Sequence, residues 1–323
     1  MPELSQILAH LYFFNEEPAA LATLVKVEGS SYRRPGARLL LLPDGAHTGS
    51  ISGGCLEEDL MIRARRVLAT GRPELVVYDT TAENDLVWGV GLGCQGVVRI
   101  FIEPIPVLRP DWVATLFTNF DERRNTVLTV DYTGPAPHGT RLAGATSSGD
   151  GVFHENIPAP PALIICGAGD DAQPLALLAK EIGWHVTVAD TRAAYANDVR
   201  FPQIDQIITA PVAEIVAGLH FDDRTFAVVM THRYVDDREF LRALLPLEFP
   251  YLGQLGPRSR TDRLLAELSP APAQLAKLHA PVGLDLGGST PETVALAILA
   301  ELQARLAGRT PGFLRDRAGP IHG

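Results

Sequence analysis

Cysteine is scarce in this chain, which limits the classes of protein to which it can belong. Three cysteines, at positions 55, 94 and 166, occur among 323 residues. An odd number of thiols in a chain of this length does not form the disulfide framework of a small secreted domain. The sequence therefore predicts a protein of a reducing compartment, the cytoplasm, in which the thiols stay free.

Long apolar runs and positive charge are also lacking. No run approaches the ~20 apolar residues that cross a bilayer, and the opening residues, MPELSQILAHLYFF, lack the basic segment of a signal peptide. The formal net charge is -10 at pH 7, which argues against sequence-independent binding of nucleic acid or of an anionic membrane. We expect neither of these partners.

Hydrophobic periodicity divides the chain into two halves. The first half contains short strand-like runs with glycine turns and a few helical patterns, whereas the second alternates strands and helices from ALIICGAG onwards. The proline-rich segment HENIPAPPA separates them. The sequence predicts an α/β protein: a mixed α+β N-terminal domain (1–154), a linker at about 154–161, and a Rossmann-like, doubly wound C-terminal domain (161–323).

A glycine-rich turn follows the first strand of the second half. Gly167 and Gly169 belong to a GxGxxA pattern that opens a helix, where backbone amides and the helix N-terminus bind phosphate. Asp190 closes the next strand, the usual place for a carboxylate that holds an unphosphorylated ribose. These residues predict a dinucleotide site, although Asp170 and Asp171 bring negative charge to the phosphate-binding end.

His232 and Asp237, in THRYVDDREF, follow another buried strand of the second half. Doubly wound sheets keep their ligand sites at the carboxyl ends of the strands. Contact with a ligand or a catalytic role is one interpretation of this pair, and capping of the next helix is the other. Cys166 lies inside an apolar strand and is expected to pack in the core.

Two thiols of the first half lie in glycine-rich loops. Cys55 follows Gly53 and Gly54 at the start of a helix, where free amides would favour a thiolate and the acids at 57–59 would oppose it. Cys94, in GVGLGCQG, lies between Gly93 and Gln95. Neither loop has a second cysteine or histidine at zinc-ligand spacing, which argues against a zinc site. A structural cysteine is expected among apolar neighbours and not among glycines, so the sequence predicts that at least one of these thiols is functional; two half-buried thiols without a role are the alternative.

The chain resembles the XdhC/CoxI-type accessory proteins of xanthine and carbon monoxide dehydrogenases. The resemblance rests on motifs that span nearly the whole chain in order: GSSYRRPGARLLL, GSISGGCLEEDL, GLGCQGVVRIFIEP, LIICGAGDDAQPLA, VTVADTR, VVMTHRYVDDREFLRALL, YLGQLGPRSRTDRLL and APVGLDLGGSTPETVALAILAEL. Three positions depart from the family pattern: Asp170 stands where members often have histidine, and Arg233-Tyr234 stand where they often have Asp-His.

The resemblance implies a molybdenum cofactor chaperone. Such a protein holds the cofactor, as molybdopterin or its cytosine dinucleotide, while a cysteine desulfurase partner exchanges an oxo ligand for sulfur. It then delivers the cofactor to an apo molybdenum hydroxylase. By position, Cys55 and Cys94 are the family's cysteines and candidate molybdenum contacts, and the candidate cofactor-binding residues are Gly53, Gly54, Gly93, Gln95, Gly167, Gly169, Asp190 and His232.

Two other functions stay open from the sequence. One is an oxidoreductase that binds an NAD-like dinucleotide and uses His232 or Cys94 for chemistry. The other is an assembly scaffold without a cofactor. The leading interpretation is a binding and handover protein and not a turnover enzyme, with a homodimer left open because the strand-rich first half has edges to cover.

Overall fold

The fold is described from a computed structural model, which covers residues 2–14, 16–79, 96–134, 137–144 and 149–318. The chain divides into two compact units, residues 1–159 and 160–323. None of the helices in these ranges is long and apolar enough to cross a membrane.

The first unit contains three helices and eight strands within its described ranges. The helices are α1 (Pro2–Phe13), α2 (Glu57–Thr70) and α3 (Asp111–Asp121). The strands are β1 (Ala19–Gly29), β2 (Arg38–Leu41), β3 (His47–Gly49), β4 (Glu74–Asp79), β5 (Gly96–Ile105), β6 (Thr126–Asp131), β7 (Gly139–Leu142) and β8 (Val152–Ile157). They form an antiparallel five-stranded sheet in the order β3-β2-β1-β5-β4 and a three-stranded sheet in the order β7-β6-β8.

Alternation along β1 explains how helices cover both faces of the five-stranded sheet. Ala22 and Leu24 pack with α2, whereas Leu21 packs on the opposite side with α1 and α3. Successive side chains of a strand point to opposite faces, so one strand supplies two cores. Helix α2 lies on the sheet through Leu60 and Val67, both buried, and its N-terminus follows directly from the loop that contains Cys55.

The linker was predicted at 154–161, but the structure places its first residues in β8. The pairing partners are in β6, where His154 lies opposite Thr129 and Glu155 opposite Leu128. The Glu155 carboxylate also accepts a hydrogen bond from the buried Arg38 guanidinium at 2.5 Å. These contacts extend the strand to Ile157, and it ends where the prolines of the PAPP segment begin.

The second unit alternates strands with helices. Its strands are β9 (Ala162–Cys166), β10 (His185–Asp190), β11 (Gln206–Thr209), β12 (Thr225–Val229), β13 (Tyr251–Gln254) and β14 (Leu278–His279). Its helices are α4 (Ala172–Glu181), α5 (Val212–Gly218), α6 (Tyr234–Leu244), α7 (Arg258–Leu268), α8 (Pro272–Leu275) and α9 (Pro291–Leu306), followed by a 3-10 turn at Leu314–Asp316.

All strand pairs of this second sheet are parallel, in the order β11-β10-β9-β12-β13-β14. Numbered within the unit this is 3-2-1-4-5-6, the doubly wound order of dinucleotide-binding domains. Leu163 and Ile165 of β9 face one core with α4 and α9, while Ile164 and Cys166 face a second core with α6. The predicted Rossmann-like fold is therefore confirmed, and its strand order reverses between β9 and β12.

Candidate functional site

The loop between β3 and α2 carries Cys55 and is organised by one carboxylate. Glu57, the first residue of α2, turns back and accepts hydrogen bonds from the backbone amides at positions 51, 52, 54 and 56, at 3.0, 2.8, 2.8 and 3.2 Å. The hydroxyls of Ser50, at 2.9 Å, and of Ser52 also donate to it. Six donors on a single carboxylate lock the loop in one conformation.

The pKa of Glu57 records this environment. Partial burial alone would raise it, but the hydrogen bonds from Ser52, Ser50 and the Ile51 amide outweigh burial and lower the pKa of Glu57 to about 2. The carboxylate is therefore ionised at any ordinary pH. Sequence reasoning treated Glu57 only as a charge opposed to a thiolate. The signal that identifies its role is the serine- and glycine-rich segment just before a helix with glutamate at its first position.

Cys55 is exposed and free at the outer side of this loop. The Gly54 amide donates to Glu57, and the Gly53 amide donates to the Ser50 hydroxyl at 3.1 Å. The amides that the sequence offered to a thiolate or a bound anion are thus largely engaged within the loop itself. The other predicted residues of this half, Gly93, Cys94 and Gln95, lie outside the described residues.

Two arginines of the first half, Arg33 and Arg38, form ion pairs with glutamates of the same unit. Arg33 forms an ion pair with Glu3. Arg38 is 3% exposed and binds Glu155 and the Gly36 carbonyl. Both guanidinium groups are thus engaged by acceptors within the protein.

The glycine-rich turn of the second unit has the opposite character from the Cys55 loop. Gly167 has φ of +125°, and a Cβ there would lie 2.5 Å from the Met230 carbonyl oxygen, so only glycine fits. The Ala168 amide donates to Asp190. Within the described chain the next three amides, at positions 169–171, make no hydrogen bond. Open amides at the start of α4 are the usual donors to a phosphate group.

Asp190 is buried at the end of β10, and its hydrogen-bond partners are protein groups. Its carboxylate accepts from the Ala168 amide at 2.8 Å, from the Arg192 amide at 2.9 Å and from Nε and Nη2 of Arg192, both at 2.8 Å. Burial opposes ionisation, but these hydrogen bonds hold the pKa of Asp190 below its usual range. Arg192 pairs with Asp190 and also lines the cavity described below, and its guanidinium is 4.0 Å from the centre of the Tyr195 ring.

His232 lies across from the glycine-rich turn. Its Nε2 is 2.8 Å from Oδ2 of Asp171, and its backbone has φ of +60°, which is uncommon for a residue with a side chain. A Cβ on Gly169 would lie 3.2 Å from the imidazole ring and 2.9 Å from Asp171. The structure therefore brings Gly167, Gly169 and His232 together, with the imidazole 59% exposed.

Asp237 neither faces a ligand nor caps the next helix, the two roles that the sequence suggested; it forms a buried ion pair. It is 1% exposed, and Oδ1 accepts hydrogen bonds from the Thr231 hydroxyl at 2.6 Å and the Thr231 amide at 3.2 Å. Its Oδ2 accepts from Arg260 at 2.5 Å. This buried ion pair holds the turn that carries His232 and leaves no face of the carboxylate for a ligand. Cys166 is completely buried, as predicted, and burial raises the pKa of its thiol.

A cavity of about 450 Å³ lies at the carboxyl ends of β9 and β12. Residues of the glycine-rich turn, of the segment after β10, of the turn after β12 and of the α9 N-terminus line it: Gly169, Asp170, Asp171, Arg192, Tyr195, Thr231, His232, Ser289, Pro291 and Val294. Among them Asp170 pairs with Arg200 at 2.8 Å. The cavity occupies the point of strand-order reversal, where doubly wound sheets bind their ligands. Sequence reasoning missed Arg192 and Tyr195, although ADTR places an arginine just past the strand.

Two family descriptions match separate parts of the chain. Residues 15–79 match the XdhC and CoxI family, and residues 163–302 match the XdhC Rossmann domain. The first range contains Cys55 and Glu57, and the second contains all residues that line the cavity.

Full-length relatives give the same result. A Bacillus subtilis protein, named as a probable xanthine dehydrogenase component, is 33% identical over 89% of this chain and 93% of its own length. The Escherichia coli molybdenum cofactor insertion chaperone PaoD is 26% identical over 88% of this chain and 82% of its own length. A crystal structure described as a xanthine dehydrogenase from Bacillus halodurans is 31% identical, has a TM-score of 0.79 and is matched over 96% of both chains.

Proposed function

The chain belongs to the XdhC and CoxI family, and from that premise we propose that it is an accessory protein in the maturation of a xanthine dehydrogenase-type molybdenum hydroxylase. A relative that spans most of the chain is named a molybdenum cofactor insertion chaperone. In this role the protein binds and hands over a cofactor, so no catalytic residue is assigned to it.

The observation that carries the proposal is the exposed, free thiol of Cys55 on a locked loop. Thiolate is a soft ligand suited to a heavy transition metal, and a glycine-rich loop lets a large group approach the sulfur closely. When bound, the cofactor supplies the molybdenum centre that such a thiolate can ligate. Cys94 is the second proposed thiol, and Gly93 and Gln95 are proposed to line the same cofactor site.

The donor set of the Cys55 loop fits the metal end of the cofactor better than its anionic end. Glu57 uses amides and hydroxyls that would otherwise bind a phosphate. Another anion at that place would have to displace an ionised carboxylate with six hydrogen bonds. Gly53 and Gly54 therefore contribute space beside the sulfur, and Glu57 acts as a positioning residue for Cys55.

The finer steps follow the family role. We propose that the protein protects molybdopterin or its cytosine dinucleotide during sulfuration by a cysteine desulfurase and then docks on the apo hydroxylase. An exposed thiol on a locked loop suits this transfer, because the group it holds could leave without any change in the loop. Co-purification of the chain with the cysteine desulfurase, and separately with the apo hydroxylase, would test each proposed partner.

The test of cofactor binding is equilibrium binding of isolated molybdenum cofactor under anaerobic conditions, with bound molybdenum measured after gel filtration. We expect stoichiometric binding by the wild type and at least about tenfold weaker retention by Cys55→Ala or Cys94→Ala. Glu58→Gln is the matched control, because Glu58 is an exposed neighbour on the same helix. Absence of binding by folded wild type would reject the chaperone function and favour a scaffold without cofactor.

A second candidate function is nucleotide binding by the second unit, which the cavity beside Gly167 and Gly169 supports. Open amides at 169–171 would hold phosphate, and His232 would contact the same ligand. Asp190 would take part through Arg192, which it orients. A thermal-shift series with nucleotides tests this function, and a turnover assay with nicotinamide cofactors tests whether it extends to an oxidoreductase.

A further inference from the structure

We propose that the cavity of the second unit selects a nucleotide with a phosphate monoester on its ribose, with Arg192 as the selecting residue. The inference rests on the proposed nucleotide site and names its ligand class. It reverses the expectation from Asp190, which favoured an unphosphorylated ribose.

The position that reads the ribose in a doubly wound domain lies just after the second strand. A carboxylate facing the cavity there accepts hydrogen bonds from ribose hydroxyls, whereas an arginine accommodates a ribose phosphate. In this chain Asp190 does not line the cavity, because its oxygens are engaged by the Ala168 amide and by Arg192. Arg192 lines the cavity in its place.

The Arg192 guanidinium is held ready for such a contact. Its Nε and Nη2 donate to Asp190, which fixes the plane of the group, and Tyr195 lies under that plane with its ring centre 4.0 Å away. Nη1 makes no hydrogen bond in the described chain. A guanidinium whose orientation is already set loses little side-chain entropy when it binds phosphate.

The carboxylates around the cavity have partners within the protein. Asp170 is paired with Arg200, and Asp171 is hydrogen-bonded to His232, each at 2.8 Å. Asp236, just outside the lining, is paired with Arg233 at 2.9 Å. Each carboxylate thus has a partner on one oxygen, although Oδ1 of Asp171 has none. The donors at the cavity that make no hydrogen bond in the described chain include the amides at 169–171 and Nη1 of Arg192. Both are donors that match phosphate oxygens.

Two pairs of probes differ only by the phosphate in question. NADPH is compared with NADH, and 2′,5′-ADP with 5′-AMP, by isothermal titration of the full-length protein. We expect the phosphorylated member of each pair to bind at least about tenfold more tightly, as one charge-assisted hydrogen-bond pair provides. Equal or weaker binding of the phosphorylated member, or no binding of any probe to folded protein, overturns the proposal.

Variants assign the preference to one side chain. Arg192→Gln should bring the two members of each pair to the same affinity, and Arg192→Lys should keep a reduced preference and maintain the charge beside Asp190 if the first variant does not fold. Arg238→Gln is the control, since Arg238 pairs with Glu239 and Glu267 outside the cavity lining. A preference that stays as large as that of the wild type in Arg192→Gln, or in Arg192→Lys where the first variant does not fold, contradicts the assignment. No molybdenum is needed, so failure here leaves the proposed role of Cys55 standing.

Discussion

The two units each place a glycine-rich turn at the start of a helix, but they use it in opposite ways. In the first unit Glu57 fills the turn, and the backbone amides serve to hold the loop that displays Cys55. In the second unit the amides at 169–171 stay open towards a cavity. The comparison teaches that a glycine-rich turn before a helix presents backbone amides as hydrogen-bond donors. The first residues of the helix decide whether a side chain of the protein accepts these hydrogen bonds or leaves the amides open to a ligand.

The largest expected effect on stability comes from Gly167→Ala, which disrupts the glycine-rich turn of the second unit and leaves that of the first unit intact. Gly167→Ala places a Cβ 2.5 Å from the Met230 carbonyl oxygen at φ of +125°, so the free energy of unfolding of the second unit should fall by about 3 kcal/mol or more. Urea denaturation measures this change. Gly218→Ala is the control, because nothing lies within 4 Å of its Cβ position. Equal stability of the two variants would contradict the steric argument.

A second substitution opens the first turn. Glu57→Gln removes a charged acceptor from six donors and should lower the free energy of unfolding by about 1–3 kcal/mol. The freed loop should also change the rate at which iodoacetamide alkylates Cys55. Glu58→Gln should change neither quantity, and partial rescue by Glu57→Asp would show that the carboxylate itself is required. An unchanged alkylation rate would contradict the positioning role.

The same carboxylate predicts a pH dependence. The pKa of Glu57 is lowered from 4.5 to about 2, so its contribution to stability is complete above pH 4.5 and is lost as the pH falls towards 2. The difference in unfolding free energy between wild type and Glu57→Gln should therefore shrink steadily below pH 4.5. Denaturation curves collected between pH 7 and pH 3 measure it. A difference that stays constant over this range would show that the loop is held by other contacts.

The smallest expected change in stability comes from Gly169→Ala, which tests whether the open amides of the second turn bind a ligand. Gly169→Ala would place a methyl group 2.9 Å from the Asp171 carboxylate, the movable end of a side chain, and its backbone is not left-handed. Unfolding free energy should change by less than about 1 kcal/mol, while nucleotide affinity should fall because the methyl group stands beside the open amides. Parallel urea and titration experiments separate these effects. Unchanged affinity would argue that phosphate does not bind at this turn.

Much of the second unit followed from local pattern. The apolar run of β9 and the helix after it predicted the doubly wound sheet, because buried parallel strands and amphipathic helices leave distinct periodicities. Gly167, Gly169 and His232 were each predicted as cofactor-binding residues, and the structure places them close together; that they bind a ligand stays a prediction. The first unit followed less completely: β7 was missed because Gly139–Leu142 lies in a polar, turn-rich segment and is stabilised by pairing with β6.

The sequence alone determined the family, the two-part architecture and the display of a thiol at a helix N-terminus, since each depends on residue order along the chain. Only the tertiary structure decided which groups are still available to a ligand. Glu57 folds back over the loop, Asp237 is captured by Arg260, and Asp190 is engaged by Arg192. A carboxylate forms its hydrogen bonds with whichever donors the fold brings near it, so its availability depends on three-dimensional neighbours that motif spacing does not encode.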